Sequence, residues 1–313
     1  MPVHSQLEAT LKLTAQPADH AVRDARCLVC QSPAAQLRYR ITRFSVLRCT
    51  ACEQLYLWPL LDESEVQDLF SQLYTTGEGS VPELRDYYGY CYEDRPDNPL
   101  VQTYEHWLDR LEAVRKPGRM LDIGCGTGLF LAVARRRGWQ PFGVDECPEA
   151  IAHAREHFDL PVHEGAFSDL GIDAAGFDAV TMWDIIEHAR DPVGLLCEAR
   201  KRMAEDGIVG LTTPNQRSIL DVVAGALYRA SRGRITAPLE KFYIEQHFLY
   251  FNEDTLRRAL ERAGLATVRM AREETDLRRL HLDMGKHALL RALFFVARRT
   301  GLENRLFAIA EAR

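Results

Sequence analysis

The chain has 313 residues, room for one large domain and a small one, and at 46% hydrophobic with 27% charged residues it can bury a real core. Its net charge of -6 disfavours a nucleic-acid binder that relies on broad phosphate neutralisation. No apolar run reaches the ~18 residues that span a bilayer, and the polar start has no apolar signal-peptide core, so the expectation is a cytoplasmic protein.

In chain order, residues 1–24 read as a weakly structured leader, or a strand packed onto a later part of the chain. Cys27-x-x-Cys30 and Cys49-x-x-Cys52 follow, with 18 residues between the pairs. In a reducing compartment, two such knuckles at that spacing predict a tetrahedral Zn2+ held by four thiolates. Four thiolates leave no open position, so this zinc is expected to be architectural. Cys91, Cys125, Cys147 and Cys197 lack such pairing and read as small apolar residues. These observations predict a zinc-binding module over residues 1–60. A helical linker or lid is expected over 61–112, starting with a helix at DESEVQDLFSQLY and followed by one at VQTYEHWLDRLEAV. Between them, the tyrosine-rich stretch that includes Tyr88 is either a lid over a ligand or packing between module and core.

From Met120 strands and helices alternate with short loops, the pattern of a parallel sheet covered on both faces: an α/β, doubly wound, Rossmann-like domain over 113–313. DPVGLLCEARKRMAEDG is expected to be one helix closed by Gly207, before the strand IVGLTTPN. The sharpest motif is Asp122-Ile-Gly124-Cys-Gly126-Thr-Gly128 at the first strand-to-helix turn. Its G-x-G-x-G spacing differs from the dinucleotide fingerprint, because Leu129 stands where the third glycine would be. A carboxylate before the turn would repel a pyrophosphate and suits a ligand carrying an ammonium and a sulfonium. Asp145, at the end of the next strand, is placed to accept hydrogen bonds from ribose hydroxyls.

Two segments interrupt the alternation, a cap insertion at 216–246 and an apolar-basic helical insertion at 276–300. Their interleaved leucines, phenylalanines and arginines fit either a substrate cap or dimer interface packed on the core, or a surface that meets a membrane or a lipid-linked substrate. Membrane contact would then be peripheral, at the inner face. The chain is expected to be a monomer or homodimer. Candidate acid–base residues are Glu187 and His188 after the fourth strand, and Tyr243, Glu245 and His247 after the cap insertion.

Closely from Met120 to about Asn215, and more weakly to the end, the sequence resembles the class I S-adenosylmethionine-dependent methyltransferases, in the branch of ubiquinone-type and antibiotic-sugar methyltransferases. FDAVTMWDIIEHARDP, QHFLYFNEDTLRRALERAG and NRLFAIAEAR carry that likeness. It implies a seven-stranded methyltransferase sheet, adenine flanked by Ala166 and Phe167, and Trp183 and Asp184 on the cofactor and substrate side. The front module resembles the cysteine-rich domain ahead of the core in sugar C-methyltransferases. The expected function is methyl transfer from S-adenosylmethionine to oxygen or carbon of a small-molecule acceptor such as a sugar, a quinone-like ring or a natural product. An RNA methyltransferase with a zinc-ribbon substrate module and a non-catalytic zinc-dependent interaction protein on the same fold are the alternatives.

Overall fold

A computed structural model describes residues 25–75, 89–171 and 175–313, so the leader and Tyr88 lie outside the described residues. The front module is an antiparallel sheet of β1 (Ala35–Arg40), β2 (Ser45–Cys49) and β3 (Leu55–Trp58). Two turns carry the cysteine pairs to one end of it, so the four thiols meet beside the hydrophobic side chains of Leu47, Tyr56 and Phe248.

Helix α1 (Glu63–Thr75) opens with a reciprocal cap: the Glu65 N–H donates to Asp62 Oδ1 at 2.8 Å and the Asp62 N–H donates to Glu65 Oε2 at 2.7 Å. Helix α2 (Pro99–Glu112) starts with Asn98 as N-cap and proline in its first turn. Its apolar face buries Leu100, Trp107, Leu108 and Leu111 against the core.

The core sheet contains β4 (Arg119–Ile123), β5 (Gln140–Asp145), β6 (Val162–Glu164), β7 (Phe177–Trp183), β8 (Met203–Pro214), β10 (Leu265–Glu273) and β11 (Arg305–Ala312). Their order is β10-β11-β8-β7-β4-β5-β6, parallel from β8 to β6 and antiparallel where β11 inserts between β8 and β10. The seven-stranded Rossmann-like sheet is therefore as expected. Chain order runs outward from β4 to β6 and then returns to β7 on β4's other side. That reversal opens a crevice beyond the carboxyl ends of β4 and β7, where α/β sheets bind ligands.

Helices α3 (Leu129–Arg136), α4 (Pro148–Phe158), α5 (Pro192–Arg202) and α8 (Glu253–Arg262) cover the sheet. Helix α5 ends at Arg202 rather than at Gly207, and residues 203–207 are extended. Phe177 already pairs with Met203, and the register then slips before Ala179 meets Ile208, so sheet pairing overrides helix propensity there.

The insertions fold as α6 (Ile219–Ala230), α7 (Ala237–Phe242) and α9 (Met284–Thr300). Ile219, Phe294 and Ala297 pack α6 on α9, while Val222, Leu227, Met284, Leu289 and Phe295 stay exposed. Among the described residues no helix is long and apolar enough to cross a membrane.

A short strand, β9 (Leu249–Tyr250), leaves the core domain and becomes the fourth strand of the front sheet, pairing Leu55 with Tyr250 and Tyr56 with Leu249. Gln54 reinforces the joint by donating to the Leu55 and Tyr250 carbonyls at 2.9 Å each. The Arg258 guanidinium donates to the Cys52 carbonyl at 2.9 Å. The front module is thus stitched to the core by backbone as well as side chains.

Candidate active site and thiol cluster

The glycine turn is tied to β5 by its own backbone, with the Gly124 and Cys125 N–H groups both donating to the Val144 carbonyl at 2.8 and 3.1 Å. Gly124, Gly126 and Gly128 have φ of 72°, 52° and 81°, the left-handed region that only glycine enters cheaply. A Cβ on Gly124 would lie 2.1 Å from Ile185 Cδ1, so a side chain there would also require Ile185, in the loop after β7, to move.

Asp122 is buried and accepts a 2.6 Å hydrogen bond from the Thr181 hydroxyl on β7. Burial pushes its carboxyl up to about 8, with Asp145 adding in the same direction and Thr181 opposing. Asp145 accepts from the Gly126 N–H at 2.8 Å and the Cys147 N–H at 2.9 Å, which joins the glycine turn to the start of α4. Burial raises the Asp145 carboxyl as well, against those two donors. Each of its oxygens keeps a further lone pair for a ligand.

A cavity of about 320 Å³ opens over this turn, lined by Asp122, Gly124, Gly126, Trp183, Glu187 and His247 among others. Trp183 stacks on Trp107 at 4.6 Å between ring centroids. Asp184, at φ 56°, accepts from Arg305 Nη2 at 2.6 Å and from the Thr212 hydroxyl at 3.0 Å. Ala166 and Phe167 sit in the turn after β6, next to Asp145, whose carbonyl accepts from the Gly165 N–H at 2.9 Å.

In the same cavity Glu187, His188 and His247 converge. The His188 Nδ1–H donates to the Gln246 carbonyl at 2.7 Å, which leaves Nε2 as the free lone pair. The two imidazole centroids are 4.8 Å apart. Burial holds His188 below its ordinary value and His247 well below, the latter helped by His188 and Arg305. Burial and the neighbouring Asp184 drive the Glu187 carboxyl well up.

Tyr243 and Glu245 are not brought to this cavity. The Tyr243 hydroxyl donates to Asp221 at 2.7 Å, and Asp221 also takes Arg38 of the front module at 2.5 Å. Glu245 pairs with Arg43. Both residues join the cap to the front module. Sequence reasoning missed Arg305, Thr181 and the Gln246 carbonyl. Each acts on a partner 58 to 121 residues away, a separation no local pattern records.

The four cysteines of the front module form one cluster, with Cys27 and Cys52 sulfurs 3.5 Å apart and Cys30 and Cys49 sulfurs also 3.5 Å apart. Thiolates about 2.3 Å from a tetrahedral Zn2+ lie roughly 3.8 Å from one another, so this donor set fits that ion.

The profile of the methyltransferase-domain family matches residues 97–269. A ubiquinone biosynthesis O-methyltransferase from Xanthomonas campestris pv. campestris (strain B100) is 33% identical over 147 residues, 44% of this chain and 62% of that protein. Its counterpart from Acinetobacter baumannii (strain ACICU) is 30% identical over 149 residues, 44% of this chain and 61% of that protein. The chain thus spans about three fifths of the length of these curated relatives. The fold is shared with magnesium protoporphyrin IX methyltransferase from Synechocystis PCC 6803 with bound SAH. That match has a TM-score of 0.52 at 16% identity over 80% of this chain and 100% of that one. A SAM-dependent methyltransferase from Thermotoga maritima gives a TM-score of 0.51 at 15% identity, over 79% of this chain and 100% of that one. Fold and glycine turn define the class I methyltransferase architecture. The chain belongs to the methyltransferase-domain family.

Proposed function

We propose that this chain is an S-adenosylmethionine-dependent O-methyltransferase acting on a small-molecule acceptor. The observation that carries the reading is one cavity lined by the glycine turn, the buried Asp122 and a histidine pair, with Asp145 hydrogen-bonded to the same turn. S-adenosylmethionine would supply a sulfonium methyl, which an acceptor oxygen takes while sulfur keeps the electron pair of the broken bond. Asp122 is the group placed for the ligand's ammonium, whose charge would return the buried carboxyl to its ionised form. We assign Asp145 to the ribose hydroxyls, and Ala166 and Phe167, in the turn beside it, to the adenine. Trp183 and Asp184 line the same cavity, and the Arg305 contact fixes the Asp184 carboxylate.

The acceptor hydroxyl must lose a proton as the new C–O bond forms. His188 and His247, both favoured in the neutral form, have lone pairs at the acceptor end to receive it. Leu220, Leu290 and Phe294 line the same cavity from α6 and α9, whose outer faces expose Leu227, Leu289 and Phe295. This favours an acceptor with an apolar portion delivered along those helices, as a quinone-like or lipid-linked substrate would be. The named relatives act in ubiquinone biosynthesis. An RNA acceptor is disfavoured because Arg38, Arg43 and Arg48 of the front module are engaged by Asp221, Glu245 and Glu53. The four thiols are assigned a structural Zn2+.

Calorimetric titration of the zinc-loaded chain with S-adenosylhomocysteine tests the reading, and saturable 1:1 uptake is expected. No heat at protein concentrations far above a micromolar dissociation constant overturns it. Flotation with liposomes tests the apolar face of α6 and α9. Protein left wholly at the bottom of the gradient removes the lipid-borne acceptor.

A further inference from the structure

Glu187 is fully buried, and among the described residues neither of its carboxyl oxygens has a hydrogen-bond partner. His247 Nδ1 is likewise buried without one. Leaving such groups unmatched costs several kcal/mol, more if the acid is ionised. Yet they are aimed at one another rather than dispersed: one ligand atom each from Glu187, His188 and His247 lies within 4.8 Å of the other two.

The surroundings have the form that metal-ligating histidines take. His188 donates its Nδ1–H to the Gln246 carbonyl at 2.7 Å, which fixes the tautomer and aims the Nε2 lone pair into the cavity. The rotation of its ring is limited by edge contact with Phe70 at 5.2 Å between centroids. Glu187 and His188 are held in one 3-10 turn, Ile186–His188, and His247 in the turn before β9, so the trio is mounted on two short, hydrogen-bonded supports.

We propose that Glu187, His188 and His247 form a binding site for a divalent transition-metal cation, distinct from the four-thiol cluster. Two imidazoles and one carboxylate suit Zn2+, Co2+, Mn2+ or Fe2+, and leave coordination positions open toward the cavity. Donors about 2.1 Å from one ion lie roughly 3 to 3.5 Å apart, so side-chain rotation of an ångström or so brings these three onto it. Arg305 and the Thr213 hydroxyl only partly offset the burial of the Glu187 carboxyl, and the ion would supply a closer counter-charge. Arg305 faces the site and opposes a cation, but its charge is balanced by Asp184 at 2.6 Å. Asp122 lines the same cavity and adds no positive charge.

What the ion would do rests on the methyltransferase reading: its open positions would hold the acceptor's hydroxyl oxygen. With both imidazole lone pairs then committed, the hydroxyl proton would leave to water. Binding of the ion itself does not depend on that reading.

The test uses the full chain with its thiol cluster loaded by one equivalent of Zn2+. Mn2+ is titrated in and followed by the loss of free-ion paramagnetic resonance, with S-adenosylhomocysteine uptake measured separately by calorimetry. About one further equivalent of Mn2+ is expected to bind the wild type. It should be lost, or at least about tenfold weaker, in both Glu187→Gln and His247→Gln, each a near-isosteric change that keeps the packing. Glu245→Gln should retain it. If the wild type binds no ion beyond the thiol equivalent, or if both variants keep it, the proposal is overturned. Failure of nucleoside uptake with Mn2+ binding intact would overturn only the methyltransferase reading.

Discussion

Gly128 makes two demands on the sequence at once, and comparison with Gly138 separates them. Both have positive φ, 81° and 94°. A Cβ at Gly138 would find nothing nearer than Pro117 Cβ at 3.9 Å, whereas one at Gly128 would lie 2.6 Å from Leu160 Cδ1 and 2.9 Å from the Ala154 Cβ on α4. Gly138→Ala therefore costs the left-handed penalty alone, about 1 to 2 kcal/mol. Gly128→Ala costs that plus overpacking of the α3–α4 contact, about 1 to 3 kcal/mol more. The entropy that alanine removes from the unfolded chain, about 0.4 to 1 kcal/mol, is common to both and cancels in the difference. Urea unfolding followed by the fluorescence of the buried Trp107 and Trp139 should show Gly128→Ala at the lower midpoint, with an unchanged slope. Equal midpoints would mean that α4 yields freely. The close approach would then explain nothing about why the third glycine is there.

Asp145→Asn replaces one acceptor oxygen by a donor facing backbone N–H groups or ribose. S-adenosylhomocysteine affinity should fall by ~10- to 150-fold by calorimetry, the worth of one charge-assisted hydrogen bond of about 1.5 to 3 kcal/mol. Asp122 gives the ligand-free chain a pH dependence. Its folded value is about 8 against an unfolded 3.8, so between these the folded state holds a proton the unfolded state has lost. Its contribution to stability is thus present below about pH 4 and lost as pH rises toward 8, with a slope of at most ~1.4 kcal/mol per unit. Urea midpoints taken from pH 5 to 8 should fall less steeply for Asp122→Asn than for the wild type, and parallel curves would refute the assignment. Cys30→Ser should lower bound zinc to well under one equivalent by elemental analysis. It should also loosen the front sheet that β9 joins, seen as faster amide exchange at Leu249 and Tyr250.

Much of the architecture is legible in the residues alone. Alternating strands and helices, three glycines at a strand end and two C-x-x-C knuckles are local patterns, and local patterns survive without knowledge of the rest of the chain. The limit of helix α5 was not legible, because MAEDG can propagate a helix and only pairing of Met203 with Phe177 makes it extended. Tyr243 and Glu245 lie in the same short segment as His247 and carry equally suitable chemistry, yet only His247 lines the cavity. Tyr243 turns to Asp221 and Glu245 to Arg43, because the segment crosses the seam where the cap meets the front module.

The sequence by itself determined the class of fold, the turn able to approach a ligand closely, and a set of thiols with the spacing of a metal cluster. Tertiary structure alone decided that β9 completes the front sheet, that Arg305 holds Asp184, and that Glu187, His188 and His247 share one corner of the cavity. The reason is physical. Backbone conformation and short-range spacing are set by neighbours in the chain. The charge, burial and partner of a side chain are set by whatever the finished fold brings against it.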